Sequence, residues 1–204
     1  MISQLGQPID RTEWFMTPQQ VNAYYSPNRN QIVFPAAILQ PPFFNIDADP
    51  AVNYGAIGGV IGHEMGHGFD DQGSKSDGTG LLRNWWTDQD LANFKARTSA
   101  LEEQYNGFCP FEDDPETCVN GKNALGENVG DLGGLSMAYT AYKLSLNGEE
   151  APVINGLTGD QRFFLAWGQV WRNMYRDEAL RQQLVGGSPH SPPRYRVNLS
   201  LIHI

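Results

Sequence analysis

The residues best suited to chemistry lie in one stretch, VIGHEMGHGFDDQG, at residues 60–73. It contains two of the four histidines of the chain, His63 and His67, one helical turn apart. Two imidazoles at positions i and i+4 of a helix point the same way and can share one tetrahedral zinc ion. Glu64 lies beside them and could take a proton from the attacking water. The spacing predicts a hydrolytic zinc centre, and two surface histidines beside a solvated glutamate are the alternative.

A hydrolytic zinc site needs a third protein ligand and one open position. His190 and His203 are candidates, and a carboxylate on another helix is the other common solution. The stretch LGENVGDLGG at residues 125–134 places Glu127 and Asp131 one turn apart. That spacing would let Glu127 reach the metal while Asp131 accepts a hydrogen bond from a ligand histidine. Two solvated carboxylates would give the same pattern, so spacing alone leaves the third ligand open.

The elements that must position these residues are predicted to be mainly helical. Helical spacing of apolar residues begins near Ala51 and continues through the histidine pair. The many glycines there each cost up to about 1 kcal/mol relative to alanine, so tertiary packing must hold this helix. Further helices are predicted over about 125–146 and after the capping sequences at 87–90 and 158–161. The buried side of the last helix is predicted to comprise Phe163, Trp167, Val170, Trp171 and Met174.

A small sheet is predicted near the start of the chain. Residues 22–39, NAYYSPNRNQIVFPAAIL, indicate two extended segments around a tight turn, the second running from Gln31 to Leu39. Pro35 would keep this second segment at a sheet edge or bulge. The proline pair at residues 41–42 excludes a helix interior there.

Composition limits the class of protein. A chain of 204 residues with 40% hydrophobic content predicts one domain with one sizeable core. A net charge of -9 argues against nucleic acid as a partner, since phosphate binding needs clustered Lys and Arg. No apolar run approaches the roughly eighteen residues that span a bilayer, so we expect no membrane contact. The first residues have neither the basic nor the apolar region of a signal peptide.

The two cysteines of the chain are close in sequence. Cys109 and Cys118 bracket the acidic stretch PFEDDPET. Two unrelated thiols are one reading, but their closeness across this loop favours a local disulfide. Such a bond would imply an oxidising compartment.

Four motifs together resemble the neprilysin and endothelin-converting-enzyme family of zinc metallopeptidases, particularly its bacterial oligopeptidase members. They are VIGHEMGHGFDDQG, GENVGDLGGL, NAYYSPNRNQIVFPAAILQPPFF and HSPPRYRVN, in the family's order, and the resemblance covers about residues 5–198. It implies an α+β, mainly α fold: a thermolysin-like zincin catalytic domain with a small edge sheet near the N-terminus. It also implies a metalloendopeptidase with one zinc ion per chain that cleaves short peptides.

The resemblance assigns roles at the metal. It implies that His63, His67 and Glu127 bind zinc, that Glu64 is the general base, and that Asp131 orients a ligand histidine. The family motif usually has alanine where this chain has Gly130, a change expected to loosen the helix slightly and to leave both carboxylates in place.

The resemblance also assigns contacts with the peptide. Asn22 and Ala23 match an edge segment that binds the substrate backbone by strand-like hydrogen bonds. His190 matches the histidine that stabilises the oxyanion, and Arg196 the arginine that grips a substrate carbonyl. A hydrophobic pocket would favour cleavage on the amino side of bulky apolar residues. Its walls correspond to Ile38, Phe43, Val60, Val170 and Trp171.

Two departures from the family pattern shape the remaining expectations. Family members carry a long helical region upstream and several dozen further residues downstream, so residues 1–198 are expected to be part of a catalytic domain. The final LSLIHI, residues 199–204, resembles translated adapter sequence, and His203 is therefore given no role. The full-length parent is expected to be extracytoplasmic. The alternatives are an inactive peptide-binding homologue and a metallohydrolase acting on a non-peptide substrate.

Overall fold

A short hairpin opens the fold of the computed structural model, which describes residues 5–111 and 114–202. Strands β1 (Tyr24–Ser26) and β2 (Gln31–Val33) pair antiparallel, as predicted. The prediction of extended backbone as far as Leu39 was wrong, because a 3₁₀ turn occupies Ala36–Ile38. Pro35 precedes this turn and has no N–H for a strand ladder, so pairing stops before it.

Helices are the main regular structure of the described chain. They are α1 (Pro50–Asn53), α2 (Gly59–Gly66), α3 (Asp88–Asn106), α4 (Leu125–Ser145), α5 (Gly159–Val170), α6 (Asp177–Val185) and α7 (Pro193–Ile202). Helices α2 to α5 lie close to the predicted positions, whereas α6 and α7 were not predicted. A π-helical segment, Tyr54–Gly58, joins α1 to α2. Within the two described ranges, every helix is too short or too polar to cross a bilayer.

The predicted helix caps are present. The Thr87 side chain accepts the Asp90 N–H at the start of α3. At the start of α5, Thr158 and Gln161 exchange hydrogen bonds in a complete capping box. The prediction that Met174 is buried was wrong: α5 ends at Val170, which leaves Met174 fully exposed in the following loop.

Close packing of α2 against α4 explains the glycines in the metal-site helix. A Cβ atom at Gly62 would lie 2.4 Å from the carbonyl oxygen of Gly134. A Cβ at Gly134 would lie 2.3 Å from the backbone nitrogen of His63. The two backbones therefore touch, and the contact compensates for the low helix propensity of glycine.

Two hydrophobic clusters hold these helices. The larger lies between α2, α4 and α5, and its fully buried side chains include Leu135, Tyr142, Phe163 and Trp167. The smaller joins the end of α3 to α7, where Phe108 stacks on Tyr195 with ring centroids 4.6 Å apart. The predicted disulfide between Cys109 and Cys118 is present and closes the loop beside this second cluster.

Candidate metal centre

Three potential ligands converge where α2 crosses α4. His63 lies in α2, His67 caps its C-terminus, and Glu127 lies in the first turn of α4. Their donor atoms all lie within 4.8 Å of one another. Glu127 Oε2 is 3.3 Å from His63 Nε2, and Glu127 Oε1 is 3.7 Å from His67 Nε2. Both imidazoles therefore turn the same ring nitrogen toward the carboxylate.

The other nitrogen of each imidazole faces a second carboxylate. Asp131 Oδ1 lies 2.9 Å from His63 Nδ1, and Asp70 Oδ2 lies 2.8 Å from His67 Nδ1. A carboxylate next to Nδ1 favours the imidazole tautomer that is protonated at Nδ1. The lone pair of Nε2 then remains available for a metal. Both imidazoles are thus oriented to coordinate through Nε2.

Asp70 was missed by the sequence analysis. It is buried, and its Oδ1 accepts the backbone N–H groups of Gln72 and Gly73, which fixes the carboxylate beneath His67. The available signal was the sequence His67-Gly-Phe-Asp70, because a side chain three residues after a helix-terminal histidine can reach back to it.

The donor set fits zinc. Two imidazoles and one carboxylate are a usual ligand set for catalytic zinc, and they leave a coordination position open. Glu127 Oε2 is buried, and nitrogen atoms of His63, His190 and Arg196 lie 3.2–3.5 Å from it. These basic neighbours hold Glu127 in the ionised form that a metal ligand requires.

Burial and neighbouring charges set the ionisation of the site. Without a metal, burial would lower the pKa of His63, but the Asp131 and Glu127 carboxylates raise that pKa to about 9, so zinc would displace the Nε2 proton on binding. Burial raises the pKa of Glu64, and the two histidines offset this only in part. Burial opposes the charge on Glu127, yet His190 and His63 hold its pKa well below the ordinary range. Glu64 is therefore the carboxyl group of the site best suited to hold a proton.

The predicted substrate contacts surround one cavity of about 850 Å³ that opens onto these groups. Asn22 and Ala23 line it directly before β1, with the Asn22 Oδ1 accepting the Ala23 N–H. The apolar residues expected to form the pocket also line it. They are Ile38, Phe43, Val60, Val170 and Trp171.

The C-terminal segment supplies two further groups. His190 is half exposed, and its Nε2 lies 3.2 Å from Glu127 Oε2. Arg196 is buried, its guanidinium stacks 3.9 Å from the ring centroid of Trp171, and it forms two hydrogen bonds to Asp131 of 2.6 and 2.7 Å. Both line the cavity, whereas Asp131 lies behind His63. His203 lies outside the described residues.

Sequence comparisons extend these observations to known proteins. The sequence model of Peptidase family M13 matches residues 22–204. Human endothelin-converting enzyme 1 is 46% identical over 202 residues, which are 97% of this chain and 26% of that protein. Neprilysin-3 of Drosophila melanogaster is 42% identical over 200 residues, 96% of this chain and 25% of that protein. The chain thus spans about a quarter of the length of these curated relatives.

Solved structures share the fold. The Mycobacterium tuberculosis zinc metalloprotease Zmp1 in complex with an inhibitor superposes with a TM-score of 0.92 and 58% identity, covering 98% of this chain and 31% of that one. PepO from Lactobacillus rhamnosis HN001 gives a TM-score of 0.82 and 37% identity, covering 97% and 29%. The helices around the cavity therefore have the arrangement of a zincin-type metallopeptidase domain.

Proposed function

The chain belongs to peptidase family M13, and we propose that it carries the zinc site of a metalloendopeptidase that hydrolyses short peptides. The observation that carries this proposal is the cluster of His63, His67 and Glu127 beside the buried Glu64. Bound zinc would be held by these three side chains and would supply Lewis-acid activation of the carbonyl and of water. The disulfide is consistent with an extracytoplasmic setting, where such bonds persist.

Proton transfer falls to Glu64. Its burial raises the pKa of the carboxyl group, so the protonated form is accessible nearer to neutral pH than for a solvated glutamate. Glu64 would accept the proton of the attacking water and deliver it to the leaving amine. Asp70 and Asp131 act through the imidazoles, which they hold in one orientation.

The oxyanion that would form during peptide hydrolysis requires a hydrogen-bond donor. His190 projects into the cavity from the loop before α7, and its Nε2 lies near Glu127. It would donate a hydrogen bond to the oxyanion, and the loss of one such donor typically costs about 10²–10³ in rate. Arg196 lines the same cavity and would contact a substrate carbonyl through a guanidinium N–H.

The residues that line the cavity indicate which peptides would bind. The backbone at Asn22 and Ala23 would bind an extended peptide as an added strand. The apolar walls contributed by Ile38, Phe43 and Val170 would then receive a bulky apolar side chain directly after the cut. Burying Leu or Phe there gains about 1.5–3 kcal/mol, whereas an unpaired charge would be strongly disfavoured.

The test compares the chain with its Glu64→Gln variant on quenched fluorescent peptides varied only at the residue after the cut. We expect cleavage that a chelator abolishes and zinc restores, with Leu and Phe preferred. Glu64→Gln should keep one zinc per chain and lose about 10²–10⁴ in rate, because the amide cannot accept a proton. A loss below about tenfold would refute the role of Glu64. Peptide binding without hydrolysis would favour the inactive peptide-binding alternative.

A further inference from the structure

The ring of His190, the proposed oxyanion donor, makes few contacts that could fix its position. The imidazoles of His63 and His67 are each backed by an aspartate. The His190 side chain is 50% exposed, and the only polar contact of its ring within ranges 5–111 and 114–202 is the one to Glu127. The position of this ring must therefore come from the loop that carries it, residues 186–192 between α6 and α7.

A buried hydrogen bond ties this loop to α4 directly after His190. The Ser191 hydroxyl donates to Asn128 Oδ1 over 3.0 Å, and the two side chains are 2% and 1% exposed. In both segments this pair lies one residue after the pair of His190 and Glu127. Because both groups are buried, the hydrogen bond is stronger than it would be in water. It therefore fixes the loop against α4 at the register that brings His190 to Glu127.

Fold stability alone does not explain an asparagine at this position of α4. The Nδ2 of Asn128 is buried and has no hydrogen-bond partner among the described residues. A buried amide with an unpaired donor is unfavourable, and an apolar side chain of similar shape would avoid that cost. The Oδ1 of the same amide is the acceptor for Ser191. The asparagine is thus explained by the loop that it holds.

The start of the loop is held separately. Asn123 Nδ2 donates to the carbonyl oxygens of Gly187 and Ser188 at 2.6 and 3.0 Å. Prolines at positions 189 and 192 restrict the backbone between them, because the proline ring fixes φ. Loss of the Asn128 hydrogen bond should therefore displace the far end of the loop slightly and leave the rest of the loop in place.

We propose that Asn128 and Ser191 are positioning residues that hold His190 where its N–H can reach the oxyanion. The inference rests on the proposed function, since it takes His190 as the oxyanion donor. Neither Asn128 nor Ser191 lines the cavity, so both would act through His190 rather than on the peptide. A displacement of about 1 Å can cost about 10² in rate. We expect loss of the hydrogen bond to lower kcat about tenfold to a hundredfold and to leave KM within about twofold, because the contact it supports forms only in the transition state.

The test combines steady-state kinetics with a double-mutant cycle. Values of kcat and KM for one quenched fluorescent peptide are measured with zinc-loaded parent, Ser191→Ala, Asn128→Leu and His190→Ala, and with Ser191→Ala combined with each of the other two. Replacing both partners, as in Asn128→Leu with Ser191→Ala, leaves no buried group unpaired and should keep the urea midpoint near that of the parent. Ser136→Ala is the matched control, because it removes an α4 hydroxyl that donates to the Leu132 carbonyl away from the cavity.

A binding measurement makes the test independent of turnover. Zinc-loaded Glu64→Gln protein is titrated by fluorescence anisotropy with a phosphinic peptide, whose tetrahedral anion resembles the oxyanion, and with the amide peptide of the same sequence. The parent in this background should bind the phosphinic peptide more tightly. Adding Ser191→Ala or Asn128→Leu should reduce that preference about tenfold to a hundredfold, because only the phosphinate accepts a hydrogen bond from His190. Adding Ser136→Ala should leave it unchanged.

The His190→Ala background distinguishes positioning from a general structural effect. There, Ser191→Ala should change kcat by less than about threefold, since the group that it positions is gone. An equal loss with and without His190 would overturn the positioning role alone. So would an unchanged kcat and an unchanged phosphinic preference in both Ser191→Ala and Asn128→Leu. A parent chain that neither cleaves the peptide nor prefers the phosphinic peptide would refute the proposed function, and this inference with it.

Discussion

Each imidazole of the metal centre lies between two carboxylates. His63 lies between Glu127 and Asp131, and His67 lies between Glu127 and Asp70. The shared Glu127 faces the metal position, while the two aspartates lie behind the rings and fix which nitrogen carries the proton. The aspartates differ in origin, because Asp131 comes from another helix and Asp70 from the loop after α2.

Replacing Asp70 by alanine should weaken zinc binding without removing a ligand. The His67 ring would lose the acceptor at Nδ1 that fixes its tautomer and orientation, and such losses typically cost about 10–100-fold in metal affinity. Competition with a chromophoric chelator measures this affinity directly. Asp71→Ala is the control, since the Asp71 carboxylate accepts from Gln72 rather than from a ligand histidine. Equal affinities of the two variants would show that Asp70 does not position His67.

The sequence indicated the candidate ligands more readily than the groups that support them. The spacing of His63, Glu64 and His67 is local, so one helical turn brings them together. The choice between Asp70 and Asp71 depends on where α2 ends, which local propensity does not specify. The pairing of Arg196 with Asp131 joins residues 65 positions apart, and only the packed fold brings them together.

At the scale of elements, the contact between α2 and α4 fixes the geometry of the candidate metal site. The candidate ligands come from both helices, so their separation follows from how closely the two backbones approach. Gly130 packs against His63, where a Cβ would lie 2.8 Å from the ring Nδ1. The glycine-rich sequence thus predicted a helix held by packing, and the partner helix is the one that carries Glu127.

A pair of adjacent alanine substitutions in α4 tests this contact. Gly134→Ala would place its Cβ 2.3 Å from the His63 backbone nitrogen, whereas Gly133→Ala meets nothing within 4 Å. We expect Gly134→Ala to lower the free energy of unfolding by about 1–3 kcal/mol. Gly133→Ala should raise it by up to about 1 kcal/mol through helix propensity. Urea unfolding followed by circular dichroism measures both, and equal effects would contradict the close approach.

Element boundaries were predicted less well than element types. The caps at Thr87 and Thr158 are chemical signals and marked the starts of α3 and α5 correctly. The end of α5 carries no comparable signal, so the apolar spacing was extended wrongly to Met174. Likewise, β-branched and aromatic residues after Gln31 indicated a longer strand than the fold uses, because β2 ends two residues before Pro35.

At the scale of the whole molecule, the residues of the site come from segments that are far apart in sequence. The second cluster stacks Phe108 on Tyr195, next to Arg196. The hydroxyl of the buried Ser191, next to His190, donates to Asn128 in α4. Packing of the C-terminal segment therefore determines where His190 and Arg196 enter the cavity, and the disulfide loop beside this cluster supports them.

Zinc should stabilise the entire chain, because its ligands come together only in the folded state. A ligand that binds the folded form alone adds about 2.7 kcal/mol to the free energy of unfolding at a concentration of 100 times its Kd. Zinc would also coordinate the buried Glu127 carboxylate, which the basic groups around it hold in the ionised form. We therefore expect the urea midpoint, followed by tryptophan fluorescence, to rise with the logarithm of free zinc.

The control is Glu127→Gln, which keeps the shape of the side chain but is a far weaker zinc ligand. Its midpoint should rise much less with zinc than that of the parent chain, and it should be nearly independent of a chelator. An equal rise in both proteins would mean that zinc acts away from the cluster of His63, His67 and Glu127. A parent chain that binds one zinc ion with no change in midpoint would show that the ligands are already assembled in the unfolded state, and the linkage between metal binding and this fold would be wrong.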